Sequence, residues 1–336
     1  MSRKPTMEDV KNLAGVSIST VSRVINGTRK VSPDKTLAVN RAIEKLGYKP
    51  NELARSLVMK KSNTLGIILD DIGIEYMAQY VRGIDEIGKM YKYDILLYST
   101  FGDLEKQKKA VEFLSSKQVE GIIVISEKIN NEILYSIKEY DIPYILLDKF
   151  YNTEEYRTIS VHYSSAMASM TKHIIEQNHK NILYVREKSF DYSSDMKQRG
   201  YEDEMNKHGL NSKIMYVNKD TVDEAYRFMA SNIELIKKKG YTTIMASSDL
   251  LAVGILHYCY DNGISVPDDL SISGFGNALY SSLVRPSITT VRLPNYDIGA
   301  VAVRVLIKVL KEEDDFSQSI NLHHEIMLRE TIKKLT

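Results

Sequence analysis

The sequence predicts an all-α head, residues 1–49, followed by a hinge over 50–63 and an α/β body of two doubly wound lobes over 64–336. Three observations predict this. Residues Met7 to Asn26 read as two short helices joined by a tight turn. From Leu65 onward, short apolar runs alternate with amphipathic stretches of helical period. The charge also divides at the same place: residues 1–63 hold thirteen Lys or Arg against five Asp or Glu, while the remainder is net acidic, although the whole chain carries only +1. A basic head on an acidic body points to a polyanion partner for the head alone.

In the head, Val10 and Leu13, then Val21, Val24 and Ile25, are apolar at helical spacing. Gly15 stands at the turn, where the absence of a Cβ permits a sharp reversal. Ser17 is placed to cap a second helix over Ile18 to Asn26, whose outward residues include Ser19, Ser22 and Arg23. This is the pattern of a helix-turn-helix, with one face packed inward and the other free to enter a major groove. Ser32 and Pro33 open a third helix with Leu37, Val39, Ala42, Ile43 and Leu46 as its apolar residues, and Gly47 closes it. Asn51 can cap a two-turn helix over Glu52 to Leu57, too short to stand alone in water. Lys60 to Asn63 forms a polar linker.

In the body, Leu65–Leu69, Ile95–Tyr98, Gly121–Ile125 and Tyr144–Leu147 read as strands, with helices over Met77–Tyr91 and Glu105–Lys117. A second set begins near Ile159. Its helices are Ala166–Asn178, Gln198–His208, Val222–Lys238 and Leu250–Asn262, and its strands are Ile182–Val185, Ile214–Val217, Thr243–Ala246 and Leu270–Gly274. Continuously apolar strands suit parallel sheets covered on both faces. A last helix over Pro294–Lys311 follows the second lobe, which suggests that the chain returns to the first. The lobes are then about 64–160 with 294–325, and 161–293. Ligands of such sheets bind at the carboxyl ends of the strands, here in the cleft between lobes.

The head resembles the lactose repressor, or LacI/GalR, family. The residues that carry the resemblance are Asp9-Val10, Ala14-Gly15-Val16-Ser17, Thr20 to Asn26, Gly47-Tyr48, Pro50-Asn51 and Leu53 to Leu57. It continues through Ser248-Asp249, Val266 to Ser271, Gly274 to Asn277 and Arg285-Pro286, so it covers nearly the whole chain. One departure is Lys11, where the motif usually has Ala. The resemblance implies a periplasmic-binding-protein-like body and a homodimer that reads a pseudo-palindromic DNA operator. It places Ile18, Ser19 and Arg23 at base edges in the major groove, where Arg can grip guanine bidentately. It adds Ala54 and Leu57 to the base-reading residues, with Leu57 as a wedge from the minor groove. Thr6, Ser17, Thr20, Ser22, Asn26 and Arg29 are the expected phosphate contacts that set register.

The body departs from sugar-responsive relatives in the cleft. Gly276 stands where they commonly carry Asp, Ser248 where Asn is frequent, and Leu293 where Gln is frequent. Asp148, Lys197, Asp249 and Asn277 are the expected polar cleft residues, and Lys197 admits a sugar-phosphate co-effector as a point-charge partner. Met90 to Tyr93, Tyr296 to Arg304 and His324 to Ile326 resemble a Gram-positive subset of the family that acts in carbon catabolite control. That resemblance implies serine-phosphorylated HPr, a phosphocarrier protein, as partner. It assigns the docking to Tyr296, Asp297, Arg304 and Lys308. Arg304 and Lys308 are four residues apart and share a helix face, which suits a doubly charged phosphoserine. The alternative is a local repressor of a carbohydrate pathway controlled by a small ligand in the cleft.

Other classes are disfavoured. Cys259 is the single cysteine and lies in an apolar run, as a core residue does. The opening residues lack the apolar segment of a secretory signal, and no apolar run approaches membrane-spanning length, so a cytoplasmic protein is expected. No nucleophile constellation, phosphate-cradling glycine motif or metal-ligand spacing stands out, so neither an enzyme nor a bound cofactor or metal is expected. His323-His324 reads as part of a strand.

Overall fold

The structure is a computed structural model that describes residues 5–27, 29–49, 62–126, 128–147, 156–189, 191–313 and 319–336. It divides into two compact units, residues 1–63 and 64–336. The hinge helix expected over Glu52–Leu57, with Ala54 and Leu57, lies outside the described residues, as does Asp148.

The first unit holds α1 (Met7–Ala14), α2 (Ile18–Asn26) and α3 (Pro33–Leu46). Each ends on a glycine in the left-handed region: Gly15, Gly27 and Gly47 at φ 64°, 65° and 59°. Thr6 and Asp9 form a reciprocal capping box at the start of α1. Ser17 caps α2 by accepting from Thr20 N at 3.2 Å. Ser32 occupies the cap position of α3, but its side chain makes no capping bond. Val10, Val21, Val39, Ala42 and Tyr48 make the buried core. Two residues expected in it face outward: Leu13 is 44% and Leu37 52% exposed. So small a bundle has few inward positions, and Tyr48, beyond α3, fills one of them.

The second unit runs β1 (Thr64–Leu69), α4 (Glu75–Met90), β2 (Asp94–Ser99), α5 (Leu104–Ser116), β3 (Gly121–Ile125), α6 (Asn131–Glu139), β4 (Tyr144–Leu147) and β5 (Thr158–Val161). It continues with α7 (Tyr163–Glu176), β6 (Ile182–Glu187), α8 (Tyr192–Lys207), β7 (Lys213–Val217), α9 (Val222–Lys239), β8 (Thr243–Ala246), α10 (Asp249–Asp261) and β9 (Ser271–Ser273). It ends with α11 (Leu279–Leu283), β10 (Thr290–Arg292), α12 (Asn295–Leu310), β11 (Ser319–Leu322) and β12 (Glu325–Met327).

The first lobe is built on a sheet of order β11-β5-β4-β3-β1-β2, in which every pairing is parallel. The second is built on the parallel sheet β7-β6-β8-β9. Alternate strand residues feed opposite faces. Leu65, Ile67 and Leu69 pack with α4 and α12, while Ile68, Ile122 and Val124 pack with α5 and α6. In the second lobe, Leu183 and Val185 face α9 and α10, and Ile182 and Tyr184 face α7 and α8. The chain passes between lobes after β5, after β10 and after β11. The antiparallel pair β10–β12 lines two of these crossovers. His323-His324 sits in the turn between β11 and β12, not in a strand, and His324 Nε2 lies 2.9 Å from Ser169 Oγ. Cys259 is fully buried, and burial pushes its thiol up to about 12, so it is a packed core residue.

Helices α4 and α12 meet backbone to backbone. A Cβ at Gly83 would stand 2.1 Å from Tyr296 O, and one at Gly299 would stand 2.1 Å from Tyr80 O. Two glycines therefore set the approach of the helix that carries the expected docking residues. No helix among the described residues is long and apolar enough to cross a membrane.

Candidate nucleic-acid interface and regulatory sites

Helix α2 is the expected reading helix. Val21 points inward with no exposed surface, so the opposite face is turned out. On it, Ile18 is 48% exposed, and Ser19 and Arg23 are exposed as well. The three lie at N1, N2 and one turn further, which groups an apolar contact, a hydroxyl and a guanidinium on one side. Of the expected phosphate contacts, Ser17 Oγ lies 2.9 Å from both Ser19 Oγ and Thr20 Oγ1, so the three hydroxyls form a cluster at the helix start. Asn26 Nδ2 donates to Ser22 Oγ at 3.2 Å, and Arg29 is exposed. Thr6 differs: its hydroxyl donates to Asp9 Oδ2 at 2.7 Å and accepts from Asp9 N at 3.4 Å. Its proton is committed to the capping box, so its side chain would have to leave Asp9 to donate to a phosphate. Lys11 pairs with Glu8 at 2.5 Å along the surface of α1.

On the body, Asp297, Arg304 and Lys308 are exposed along α12 at spacings of seven and four, which is one helix face. Tyr296 lies at the edge of this face. Its hydroxyl donates to Glu86 Oε2 at 2.7 Å, and Arg82 Nε donates to Glu86 Oε1 at 3.0 Å. The Tyr296 hydroxyl, with Arg82, holds the Glu86 carboxyl below the usual carboxylate range. The Tyr296 ring is thus fixed against α4, with the Arg82 guanidinium 6.0 Å from its centroid.

The cleft between lobes encloses a cavity of about 840 Å³. Glu75, at the start of α4, reaches across its mouth and accepts from Leu279 N at 2.9 Å. Asp249 and Asn277 line this cavity, as the sequence suggests, but both are tied to the protein. Asp249 Oδ1 accepts from Thr290 Oγ1 at 2.6 Å, and its Oδ2 accepts from Ala278 N at 2.7 Å. It is 1% exposed, and burial pushes its carboxyl up to about 6. Asn277 Oδ1 accepts from Arg329 Nη2 at 2.6 Å. Lys197 is not among the residues lining the cavity: its Nζ donates to Ser247 O at 3.1 Å and stands 5.0 Å from the Phe275 ring centroid. Gly276 has φ +126°, a conformation that L side chains rarely adopt, and Leu293 presents an apolar chain.

Glu75, Asp220 and Asn295 are among the lining residues that the sequence reading does not name. Asp220 follows β7 and accepts a hydrogen bond from Ser248 Oγ. Its place just beyond the carboxyl end of a strand is a readable signal. Asn295 and Glu75 lie near the starts of helices and carry no comparable mark. Among the described residues, no group of three or more His, Cys, Asp or Glu is placed to hold a metal ion.

Comparison with known proteins agrees with this architecture. Residues 6–51 match the model described as bacterial regulatory proteins, lacI family, and residues 171–332 match the periplasmic binding protein-like domain. The chain is 35% identical over 336 residues to catabolite control protein A of Priestia megaterium, covering 98% of this chain and 99% of that protein. The structure of the transcription regulator CcpA of Lactococcus lactis is 30% identical, with a TM-score of 0.70 over 80% of this chain and 99% of that one. The lac repressor dimer bound to operator and the anti-inducer ONPF shares the fold, at 20% identity and a TM-score of 0.86 over 98% of this chain and 100% of that one. Its relatives are regulators rather than enzymes. The chain belongs to the LacI family of DNA-binding transcription regulators and is close to catabolite control protein A.

Proposed function

We propose that this regulator acts in carbon catabolite control in the cytoplasm, binding a pseudo-palindromic operator as a homodimer with serine-phosphorylated HPr as co-regulator. The observation that carries this reading is the pair of exposed cations, Arg304 and Lys308, on one face of α12 beside Asp297. A phosphoserine brings nearly two negative charges and three acceptor oxygens, which two cations one turn apart can share. The full-length likeness to catabolite control protein A supports the same reading. In the head, Ile18, Ser19 and Arg23 read base edges, and Ala54 and Leu57 enter the minor groove. Ser17, Thr20, Ser22, Asn26 and Arg29 hold phosphates, and Thr6 does so only by leaving Asp9. Partner binding controls the head only through a difference in affinity between two states of the body. The test is a gel-shift titration with phosphorylated and unphosphorylated HPr. Phosphorylated HPr should tighten operator binding at least tenfold; an unchanged affinity rejects the proposal.

A second reading is favoured by the interlobe cavity of about 840 Å³, within the size range of small-ligand sites. In it, a small ligand in the cleft controls one carbohydrate pathway. Calorimetry with sugars and sugar phosphates separates the two, because tight binding of one metabolite without any effect of HPr selects the second.

A further inference from the structure

We infer that Glu75 is a latch between the two lobes. From the first lobe, its carboxylate takes the one backbone donor of the cleft loop 276–279 that the second lobe leaves unused, and so biases the body toward its closed form.

The loop after β9 has four consecutive N–H groups at the wall of the cavity. Gly276 N donates to Val291 O at 2.8 Å, Asn277 N to Thr290 Oγ1 at 3.3 Å and Ala278 N to Asp249 Oδ2 at 2.7 Å. All three acceptors belong to the second lobe. The fourth donor, Leu279 N, goes to Glu75 Oε1 at 2.9 Å, across the cleft and 204 residues away in the chain. Glu75 and Leu279 both line the cavity. Burial above all, with the Glu75 charge adding to it, holds the Asp249 carboxyl and the Tyr280 hydroxyl of the second lobe above their usual ranges.

Both ends of this bond are braced within their own lobes, so it constrains the lobes rather than two loose loops. Before Glu75, Asp71 Oδ1 accepts from Gly73 N at 2.8 Å and Asp71 O accepts from Ile74 N at 3.1 Å. Around Leu279, Arg329 donates to Asn277 Oδ1 at 2.6 Å and to Ser281 Oγ and Ile288 O at 2.8 Å each. Glu75 is also the first residue of α4, the helix that meets α12 backbone to backbone and holds Tyr296 through Glu86. The mouth of the cleft and the expected docking face therefore share one helix. The bond is solvent-exposed, so its net worth is modest and it shifts the balance of closed and open forms by about three- to tenfold. A weak latch leaves both forms within reach of a regulator. An acid at the start of α4 also suits the helix dipole, but that role needs only the charge and not the length of the side chain.

The test compares Glu75→Ala and Glu75→Asp with the unaltered full chain. Asp keeps the charge in the first turn of α4 but is one methylene too short for Leu279. Hydrogen exchange read at single amides should show Leu279 N–H exchanging about three- to tenfold faster in both variants. The Ala278 amide, held by Asp249 inside the second lobe, should stay within about twofold and shows that the loop is intact. Spin labels at Lys109→Cys and Asp203→Cys, exposed positions on α5 and α8, read the distance between lobes. The labelled chain is diluted into excess unlabelled chain, and Cys259 is fully buried and takes no label. Both variants should raise the share of a second interlobe distance about three- to tenfold. Three results overturn the latch: Leu279 exchange that neither variant changes, interlobe distances that neither variant changes, or Glu75→Asp matching wild type while Glu75→Ala does not. The last would assign Glu75 to the start of its own helix.

Discussion

Replacing Asp249 with Asn should stabilise the body at neutral pH and remove one component of its pH dependence. The carboxyl is 1% exposed, and burial moves it from the usual 3.8 up to about 6 in the fold. Between those values the folded chain binds a proton at this position and the unfolded chain does not. The unfolding free energy therefore falls as pH rises through that window, and above about 6 the cost is fully present. A shift of two units at about 1.4 kcal/mol each gives about 3 kcal/mol. Asn is neutral throughout and nearly the same shape. Its carbonyl can accept from Ala278 N, and its amide can donate to Thr290 Oγ1, whose hydroxyl then turns away. The chain has no tryptophan, so unfolding in urea is followed by circular dichroism, at several pH values from 4 to 7. The stability of wild type relative to Asp249→Asn should fall by about 3 kcal/mol across that range. A flat difference refutes the reasoning. A difference that rises with pH also refutes it, because the Arg329 charge, which favours the ionised form, would then outweigh burial.

Other outcomes follow from the same geometry. Gly299→Ala puts a Cβ 2.1 Å from Tyr80 O, so α4 and α12 must part; we expect a loss of about 2–4 kcal/mol in urea unfolding, with the HPr response weakened. Arg304→Ala should reduce the effect of phosphorylated HPr in a gel shift at least tenfold while leaving direct operator affinity within twofold. Arg23→Ala should weaken operator binding by about 1–3 kcal/mol and relax preference at one base pair, read by binding to a library of operator variants. Operator affinity of the intact protein should fall steeply with salt, and a slope near zero in a fluorescence titration contradicts DNA binding by the basic head.

The parts of the fold that the sequence makes legible are those decided by near neighbours in the chain. Gly15, Gly27 and Gly47 end their helices because the left-handed turn favours glycine, and the position of each is readable. Val10 and Val21 are buried where helical spacing puts them. Leu13 and Leu37 satisfy the same spacing yet face outward, because a three-helix bundle has room for only part of a wide apolar stripe. The sequence reading passes over α6, although Ile133, Leu134 and Ile137 form its buried face and Asn130 caps it. A helix of 9 residues between two strands offers little periodicity. Strands β10 and β12 are 3 residues each and exist only because the chain returns between lobes, which no local pattern encodes.

The cleft is where local reading has least purchase, and Gly276 shows why. From sequence it reads as a position that has lost a carboxylate. In the fold it is a backbone requirement as well: φ is +126°, its N–H donates to Val291 O at 2.8 Å, and a Cβ there would lie 3.6 Å from Asp249 Oδ2. Gly274 is tighter still, since its Cβ would meet Asp249 Oδ1 at 2.2 Å. Asp249 thus fills space that the two glycines leave open, and its oxygens bind Thr290, 41 residues away, and Ala278, 29 away. The acid that the sequence offers as a ligand contact is the staple that holds this wall of the cleft together. The wall is held by those hydrogen bonds to Thr290 and Ala278, which a neutral side chain of the same shape can also make. Restoring a carboxylate at 276 would strain the backbone and set two like charges close together.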